Sequence, residues 1–173
     1  AVVTARACGV PLRAIRLALK RFSGIAGRME RLGRVAGVEY YNDSGATAPI
    51  ATIRALQTLA GKKKNIILLA GGADKQGDFT ELAKNIRRTV KVVVLLPGSG
   101  SVRLGQALAK VKHKNSIPVA TMAAAVRTAA AQAVAGDRVL LSPACASFGL
   151  FTDSTDRAEQ FTEQVQALKH RAL

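Results

Sequence analysis

Short, almost wholly apolar runs alternate along the chain with segments whose apolar residues recur every three or four positions. The apolar runs are NIILLA, KVVVLL and RVLL, at residues 65–70, 91–96 and 138–141. Runs of this kind are typical of parallel strands buried on both faces, and the periodic segments are typical of helices that cover them. The pattern therefore predicts an α/β fold with a Rossmann-like, mostly parallel sheet flanked by helices.

The rest of the pattern completes this fold. A leading helix begins at Val10-Pro11 and ends at Ser23-Gly24, with Ile15, Leu17, Leu19 and Phe22 on its apolar side. Residues 28–33 and 38–43 are expected to form a short hairpin that turns at Ala36-Gly37. Further helices are predicted at 49–60, 78–90, 102–111, 122–136 and 156–170, with a short strand around 117–121.

Four loops follow predicted strands, which is where ligands bind in sheets of this type. They are residues 42–47, 71–75, 97–100 and 142–151. The third contains Gly98 and Gly100, but the next glycine, Gly105, has the wrong spacing for a dinucleotide-binding loop, so a tight strand-to-helix turn is expected. The other three contain polar side chains that could converge on one site.

Composition excludes several classes of protein. With 173 residues, 49% hydrophobic and 21% charged, the chain is a globular protein rather than a disordered one. It has no apolar run of the roughly 20 residues that span a bilayer, and no signal-peptide pattern, so no membrane partner is expected. Cys8 and Cys145 lack CxxC spacing, which favours a reducing, cytoplasmic location. Because the chain starts without Met in a helix-like stretch, we expect a piece of a longer polypeptide.

The chain is strongly basic, with 26 Lys and Arg against 11 Asp and Glu and a formal net charge of +15. Two clusters, Lys62-Lys63-Lys64 and the alternating Lys110, Lys112 and Lys114, fall in or beside predicted loops. Such a balance indicates either an anionic partner or a solvated basic surface. Aromatic residues make up 4% of the chain, too few for a base-stacking platform, so nucleic acid is not the expected partner.

Four motifs, GIAGRMER, NDSGATAP, AGGADKQGDF and LLSPACASF, occur in this order and resemble the C-terminal domain of the Mur ligases, in particular those members that add D-glutamate. The resemblance implies that residues 1–23 are the end of the family's central ATPase domain. It implies that residues 24–173 are the C-terminal, glutamate-binding domain. The family's N-terminal and central domains would then be the partners of this chain within one polypeptide.

The resemblance also implies an activity for the parent protein. In the family, ATP converts the carboxylate of UDP-MurNAc-L-Ala to an acyl phosphate, and the amine of glutamate attacks it to form an amide in peptidoglycan precursor synthesis. The implied cofactors are ATP and Mg²⁺, held mainly by the central domain, because this chain has no GxxxxGK[ST] phosphate loop. No catalytic residue or metal ligand is expected here, and the chain alone is expected to be inactive.

Six residues match binding positions of the family. Arg28 and Asp43 match nucleotide contacts, where a guanidinium and a carboxylate suit a nucleotide's charge and ribose hydroxyls. Four positions match those that hold the carboxylates of the added amino acid: Thr47, Lys75, Ser147 and the backbone of Phe148. Each also has an ordinary interpretation: a surface arginine, a helix cap at Thr47, a solvated lysine or a loop hydroxyl.

Three departures from the family pattern leave alternatives open. Gly45 replaces a lysine, Ala48 an asparagine and Ser154 a phenylalanine, and the lost lysine and phenylalanine border the family's amino-acid pocket. One alternative is therefore a divergent ligase that adds L-glutamate or another amino acid. Another is a non-catalytic module that binds nucleotide or nucleic acid. Cys145 is interpreted as a packed residue, because neither His113 nor His170 lies in a motif.

Overall fold

The computed structural model describes residues 1–171, so the last two residues of the expected 24–173 domain lie outside the described part. Thirteen helices and strands are described, and most of them alternate along the chain. They are α1 (Val2–Ala7), α2 (Leu12–Arg21), β1 (Glu30–Val35), β2 (Val38–Asn42), α3 (Pro49–Leu59), β3 (Ile66–Ala70), α4 (Thr80–Thr89), β4 (Val90–Leu95), α5 (Ser99–Lys110), β5 (Ser116–Pro118), α6 (Met122–Gln132), β6 (Arg138–Leu141) and α7 (Ser154–Arg171).

Six strands form one sheet in the order β1-β2-β6-β3-β4-β5. Only β1 and β2 pair antiparallel, as the predicted hairpin, and the other four pairings are parallel. Strand β6 lies between β2 and β3 although it comes last in sequence, so the sheet is completed by a long-range insertion. This arrangement confirms the predicted mostly parallel α/β sheet with a short N-terminal hairpin.

The central strand β3 shows why the sheet is stable, since all five of its residues are buried. Because side chains alternate across a strand, Ile66 and Leu68 pack on one face with α3, α4 and α5. Ile67 and Leu69 pack on the other face with α6 and α7. Each leucine or isoleucine buried in this way contributes about 2 kcal/mol of hydrophobic stabilisation. The sheet is thus covered on both faces, as its apolar sequence predicts.

Most predicted boundaries are wrong by one to four residues; α5, for example, begins at Ser99 rather than at residue 102. Strand β1 begins at Glu30 rather than at residue 28, because Met29 has a φ of 47° and the backbone N–H of Gly27 bonds to the Glu30 carboxylate at 2.9 Å. Both features bend the chain into a turn that cannot join a strand ladder. Helix α6 ends at Gln132, four residues earlier than predicted.

The N-terminal helices lie outside both hydrophobic cores of the described chain. The predicted leading helix is present as α2, and the turn at Cys8 and Gly9 separates it from α1. Of the predicted apolar side, Ile15 is buried but Leu17, Leu19 and Phe22 are exposed. Both cores are built from residues after Arg28. Among the described residues, none of the helices combines the length and apolar character needed to cross a bilayer.

Candidate functional site

The three polar loops follow three neighbouring strands of the sheet. Residues 43–48 follow β2, residues 142–153 follow β6 and residues 71–79 follow β3, and these strands lie side by side in the order β2-β6-β3. Parallel strands place their carboxyl ends at one edge of the sheet, so the loops meet there. We call this the carboxyl edge.

Backbone hydrogen bonds join the three loops directly. The N–H of Ala144 donates to the carbonyl of Ala46 at 2.9 Å, which connects the β6 loop to the β2 loop. Ala73 and Ala146 exchange two bonds of 3.0 and 3.1 Å, which connect the β3 loop to the β6 loop. Loop residues that are about 70 to 100 positions apart in sequence are therefore held in a fixed arrangement. The predicted convergence of the loops is observed.

The glycine-containing loop after β4 packs against this arrangement as a tight turn into α5. The N–H of Gly100 donates to the carbonyl of Gly72 at 2.9 Å. Gly98 has a φ of 143°, and a Cβ on it would overlap the same carbonyl oxygen. These two glycines allow the close approach of two backbones.

Asp43 is buried at the base of the carboxyl edge. Its Oδ1 accepts from the backbone N–H of Met29 at 3.2 Å, and its Oδ2 accepts from the Ser142 hydroxyl at 2.9 Å. Burial raises the pKa of the Asp43 carboxyl above its usual value, while the Ser142 hydrogen bond, the Met29 N–H and the charge of Arg28 oppose that rise. A carboxylate has about four acceptor positions, so these two bonds leave capacity for a further donor.

Arg28 lies on the exposed side of the same loop. Its Nη1 donates to the carbonyl of Gly45 at 2.8 Å. A Cβ on Gly45 would come within 2.6 Å of the guanidinium carbon, so Arg28 occupies the space that a side chain at position 45 would need. Arg28 and Gly45 line a cleft of about 470 Å³ together with Ser154. Two of the three departures from the family pattern, Gly45 and Ser154, therefore line the same cleft as Arg28.

Thr47 and Lys75 face a second, smaller cleft of about 140 Å³ between the β2 and β3 loops. Helix α3 begins at Pro49, with Ala48 as its N-cap and no side-chain capping bond. The alternative interpretation of Thr47 as a cap is therefore wrong. Within residues 1–171, neither the Thr47 hydroxyl nor the Lys75 ammonium has a protein hydrogen-bond partner, so both are available to a ligand in this cleft.

Ser147 and Phe148 do not line the cleft with Thr47 and Lys75. Ser147 is buried beside the Ala73–Ala146 pair, and its carbonyl accepts from the N–H of Phe151 at 3.2 Å. Phe148 is 64% exposed. The structure thus brings Arg28 close to Asp43 and Thr47 close to Lys75, but it does not gather all six predicted residues in one pocket.

Two residues of the α5 helix hold the loop that contains Lys75. The Ser99 hydroxyl accepts from the N–H of Asp74 at 3.0 Å, and Arg103 donates to the Asp74 carboxylate at 2.5 Å. This ion pair lowers the pKa of Asp74. The Arg103 guanidinium also lies 5.9 Å from the centre of the Phe79 ring, a cation–π distance. The backbone on either side of Lys75 is therefore anchored.

Arg157 is fully buried, which its sequence does not indicate because arginines are mostly exposed. Its guanidinium donates to the hydroxyl and the carbonyl of Ser44, at 3.0 and 2.9 Å, and to the carbonyl of Cys145 at 3.1 Å. Burial lowers the pKa of Arg157 to about 10. The residue ties α7 to both the β2 and β6 loops. It lies outside the four sequence motifs, and the apolar pattern of α7 does not single it out.

Cys145 is buried, and burial raises the pKa of its thiol to about 11. A thiol of this pKa is protonated at neutral pH and is a poor nucleophile. The structure agrees with its interpretation as a packed residue. Within the described residues, no three His, Cys, Asp or Glu side chains form a group that could hold a metal ion.

The fold and the joined loops define a Mur-ligase-type domain. Residues 27–145 match the family model described as Mur ligase, glutamate ligase domain, and the chain belongs to this family. This match confirms the resemblance seen in the motifs.

The chain is also similar to individual curated proteins. It is 43% identical over 171 residues to a UDP-N-acetylmuramoylalanine--D-glutamate ligase of Roseiflexus sp. (strain RS-1), covering 96% of this chain and 36% of the relative. It is 40% identical over 168 residues to the protein of that name from Ralstonia nicotianae, covering 97% of this chain and 33% of the relative. The chain therefore spans about a third of the length of the relatives it matches.

Solved structures share the fold at lower identity. The UDP-N-acetylmuramate-alanine ligase MurC of Thermotoga maritima superimposes with a TM-score of 0.69 at 16% identity, over 96% of this chain and 36% of that one. The MurF ligase of Thermotoga maritima, solved in complex with ADP, has a TM-score of 0.65 at 19% identity, over 99% of this chain and 37% of that one. These likenesses confirm the fold class.

Proposed function

We propose that this chain is the C-terminal domain of an ATP-dependent amide ligase that adds D-glutamate to UDP-MurNAc-L-Ala in peptidoglycan precursor synthesis. The observation that supports this best is the joining of three family motifs at one edge of the sheet, in a chain 36–43% identical to eight relatives with this enzyme's name. The domain's contribution is to position two substrates rather than to break bonds.

Arg28 and Asp43 are proposed to contact the nucleotide. Arg28 is exposed at the mouth of the 470 Å³ cleft, where its guanidinium can approach a phosphate or stack on a flat group. Asp43, between the cleft-lining residues Asn42 and Ser44, has two acceptor positions left for hydroxyl groups. This donor and acceptor set suits ATP.

Glutamate is proposed to bind between the β2 and β3 loops. Thr47 offers a hydroxyl donor and Lys75 a cation, in a cleft whose size fits a small amino acid. Ser147 and the backbone of Phe148 are proposed to complete the site. Because they lie outside the 140 Å³ cleft, they would have to contact a part of the substrate that extends beyond it.

The domain boundaries are proposals as well. Residues 1–23 are proposed to belong to the central ATPase domain and the rest of the chain to the glutamate-binding domain. The residues present do not fit a Mg²⁺ site, since the described part offers no cluster of carboxylates. Mg²⁺ and the triphosphate are therefore proposed to bind to the central domain. A cytoplasmic location is also proposed, where both cysteines would remain free thiols.

The reaction is tested with the protein encoded by the whole reading frame. The enzyme is supplied with ATP, UDP-MurNAc-L-Ala and either D- or L-glutamate, and phosphate release is measured. Release that depends on D-glutamate alone is expected. Release only with L-glutamate would support the divergent ligase suggested by Gly45 and Ser154, and no release with either would contradict the proposed substrate.

Lys75→Ala tests the proposed glutamate site in the same protein. Loss of a charged hydrogen bond to a carboxylate costs about 1.5–3 kcal/mol, so the KM for glutamate should rise about 10- to 100-fold while the KM for ATP changes little. Lys84→Ala, which removes an exposed lysine of α4, is the control. An unchanged KM for glutamate would show that Lys75 does not bind glutamate.

A further inference from the structure

A third cleft, of about 350 Å³, lies at the opposite edge of the sheet from the proposed substrate site. It is formed where β3, β4 and β5 begin, by the turn before β3, the end of α4 and the turn between α5 and β5. Because these strands are parallel, their amino ends are separated from the carboxyl edge by the length of the strands. We call this hollow the amino-edge cleft.

The amino-edge cleft brings together lysines from two clusters that are distant in sequence. Lys64 comes from the first cluster, and Lys112 and Lys114 come from the second, nearly 50 residues later. Arg87 and Lys91 add two further cations from α4 and β4. One lysine of the first cluster and two of the second therefore share one concave surface.

The positive charge in the cleft is almost uncompensated by the protein. Lys91 pairs with Asp137 at 2.8 Å. Among the described residues, the other four cations, Lys64, Arg87, Lys112 and Lys114, form no ion pair with a carboxylate. Like charges confined to one hollow repel one another, and an anion placed among them relieves that repulsion.

His113 is a further polar group within the cleft. Its Nε2 lies 3.2 Å from the carbonyl oxygen of Asn115. Burial lowers the pKa of His113, the hydrogen bond with the Asn115 carbonyl opposes this, and the positive charge of Lys64, the smallest of the three causes, lowers the pKa further. The imidazole thus senses the positive potential of the cleft, and an anion bound there would raise its pKa.

We propose that the amino-edge cleft binds a compact oligophosphate, as free pyrophosphate or as the diphosphate of a nucleotide or nucleotide sugar. Four cations without carboxylate partners suit an anion with two or more negative charges. The volume suits a small ligand rather than a long phosphate backbone, and no Phe, Tyr or Trp lines the cleft to stack a base. This site is distinct from the proposed glutamate and ATP positions.

Inorganic pyrophosphate is the first probe, added to the 173-residue chain at about 0.15 M salt so that diffuse attraction is screened. Calorimetry measures affinity, and NMR follows the two histidine side chains. We expect saturable binding that raises the pKa of His113, with no shift in the ring signals of the exposed His170 on α7. UDP is the second probe, and tighter binding of UDP than of pyrophosphate identifies a nucleotide diphosphate as the preferred source.

The triple variant Lys64→Ala, Lys112→Ala and Lys114→Ala should weaken pyrophosphate binding at least about tenfold. The matched control, Arg13→Ala, Arg16→Ala and Lys20→Ala, removes the same charge from exposed positions of α2 and should bind as the unchanged chain does. Equal weakening in both variants would show attraction to net charge alone and overturn the proposal. The wild-type His113 titration needs no variant, and a pKa that does not move with saturating pyrophosphate would overturn it as well.

Discussion

At the scale of single residues, Asp43 shows how burial tunes a side chain whose type was already evident from the motif. The carboxyl is desolvated and its pKa is raised, so the folded chain binds this proton more tightly than the unfolded chain does. Between the unfolded pKa of about 3.9 and the higher folded value, the folded state therefore holds more protons. The contribution of Asp43 to the free energy of unfolding falls as pH rises through that window.

Asp43→Asn removes this titration. We expect the stability of the wild type relative to Asp43→Asn to decrease as the pH rises from below about 4, measured by urea unfolding at several pH values. Asp78→Asn is the control. Hydrogen bonds from Thr80 lower the pKa of Asp78, so the stability of the wild type relative to Asp78→Asn should increase as the pH rises. The same trend with pH in both comparisons would contradict the assignment.

Gly45 is the second informative residue, because the Arg28 guanidinium occupies the space that a side chain at position 45 would need. Gly45→Ala should displace the guanidinium and raise the KM for ATP of the whole enzyme about tenfold, roughly the value of one charged hydrogen bond. In an Arg28→Ala background the same substitution should have no further effect. If Gly45→Ala raised the KM for ATP equally in both backgrounds, Gly45 would act independently of Arg28.

At the scale of helices and strands, α5 and its N-cap residue provide a pair of glycines for comparison. Gly98 has a φ of 143° and no room for a Cβ against Gly72, whereas Gly105 has nothing within 4 Å of its Cβ position. Gly98→Ala should lower the free energy of unfolding by about 3 kcal/mol. Gly105→Ala should raise it by about 0.5–1 kcal/mol, because alanine favours the helix. Urea unfolding of both variants checks this, and equal effects would refute the packing argument.

Helix α7 depends on Arg157 for its attachment to the loops. Arg157→Leu would leave the carbonyl groups of Ser44 and Cys145 without their donor. Each unsatisfied buried acceptor costs about 1–3 kcal/mol, so we expect a loss of roughly 2–5 kcal/mol in the free energy of unfolding. Arg127→Leu on the exposed side of α6 should change it by less than about 0.5 kcal/mol. Similar denaturation midpoints for the two variants would contradict this role.

At the scale of the whole molecule, the described chain has one sheet with a hydrophobic core on each face, preceded by two helices. Both hydrophobic cores draw their residues from positions after Arg28, and the exposed apolar residues of α2 pack on neither. Deleting residues 1–23 should therefore change the free energy of unfolding of the remaining chain by less than about 1 kcal/mol. A much larger loss, measured by thermal and urea unfolding, would show that these helices belong to the domain core.

Much of the fold was predictable because it depends on local patterns. The runs around Ile66, Val93 and Leu140 are apolar throughout, and such runs are stable only between two helical layers. The loops after β2, β3 and β6 were likewise predictable as ligand positions, since the carboxyl ends of parallel strands share one edge. The start of β1 was not, because the positive φ of Met29 depends on its contact with Asp43.

Contacts between distant parts of the chain settle what local patterns leave open. Composition and motifs determine the α/β class, the family and the residue types at the carboxyl edge. The tertiary structure determines which of those residues share a site: Thr47 and Lys75 line one cleft, and Phe148 is exposed. Folding also buries Arg157 and brings Lys64 into one cleft with Lys112 and Lys114, because burial and electrostatic potential arise from three-dimensional proximity rather than from sequence order.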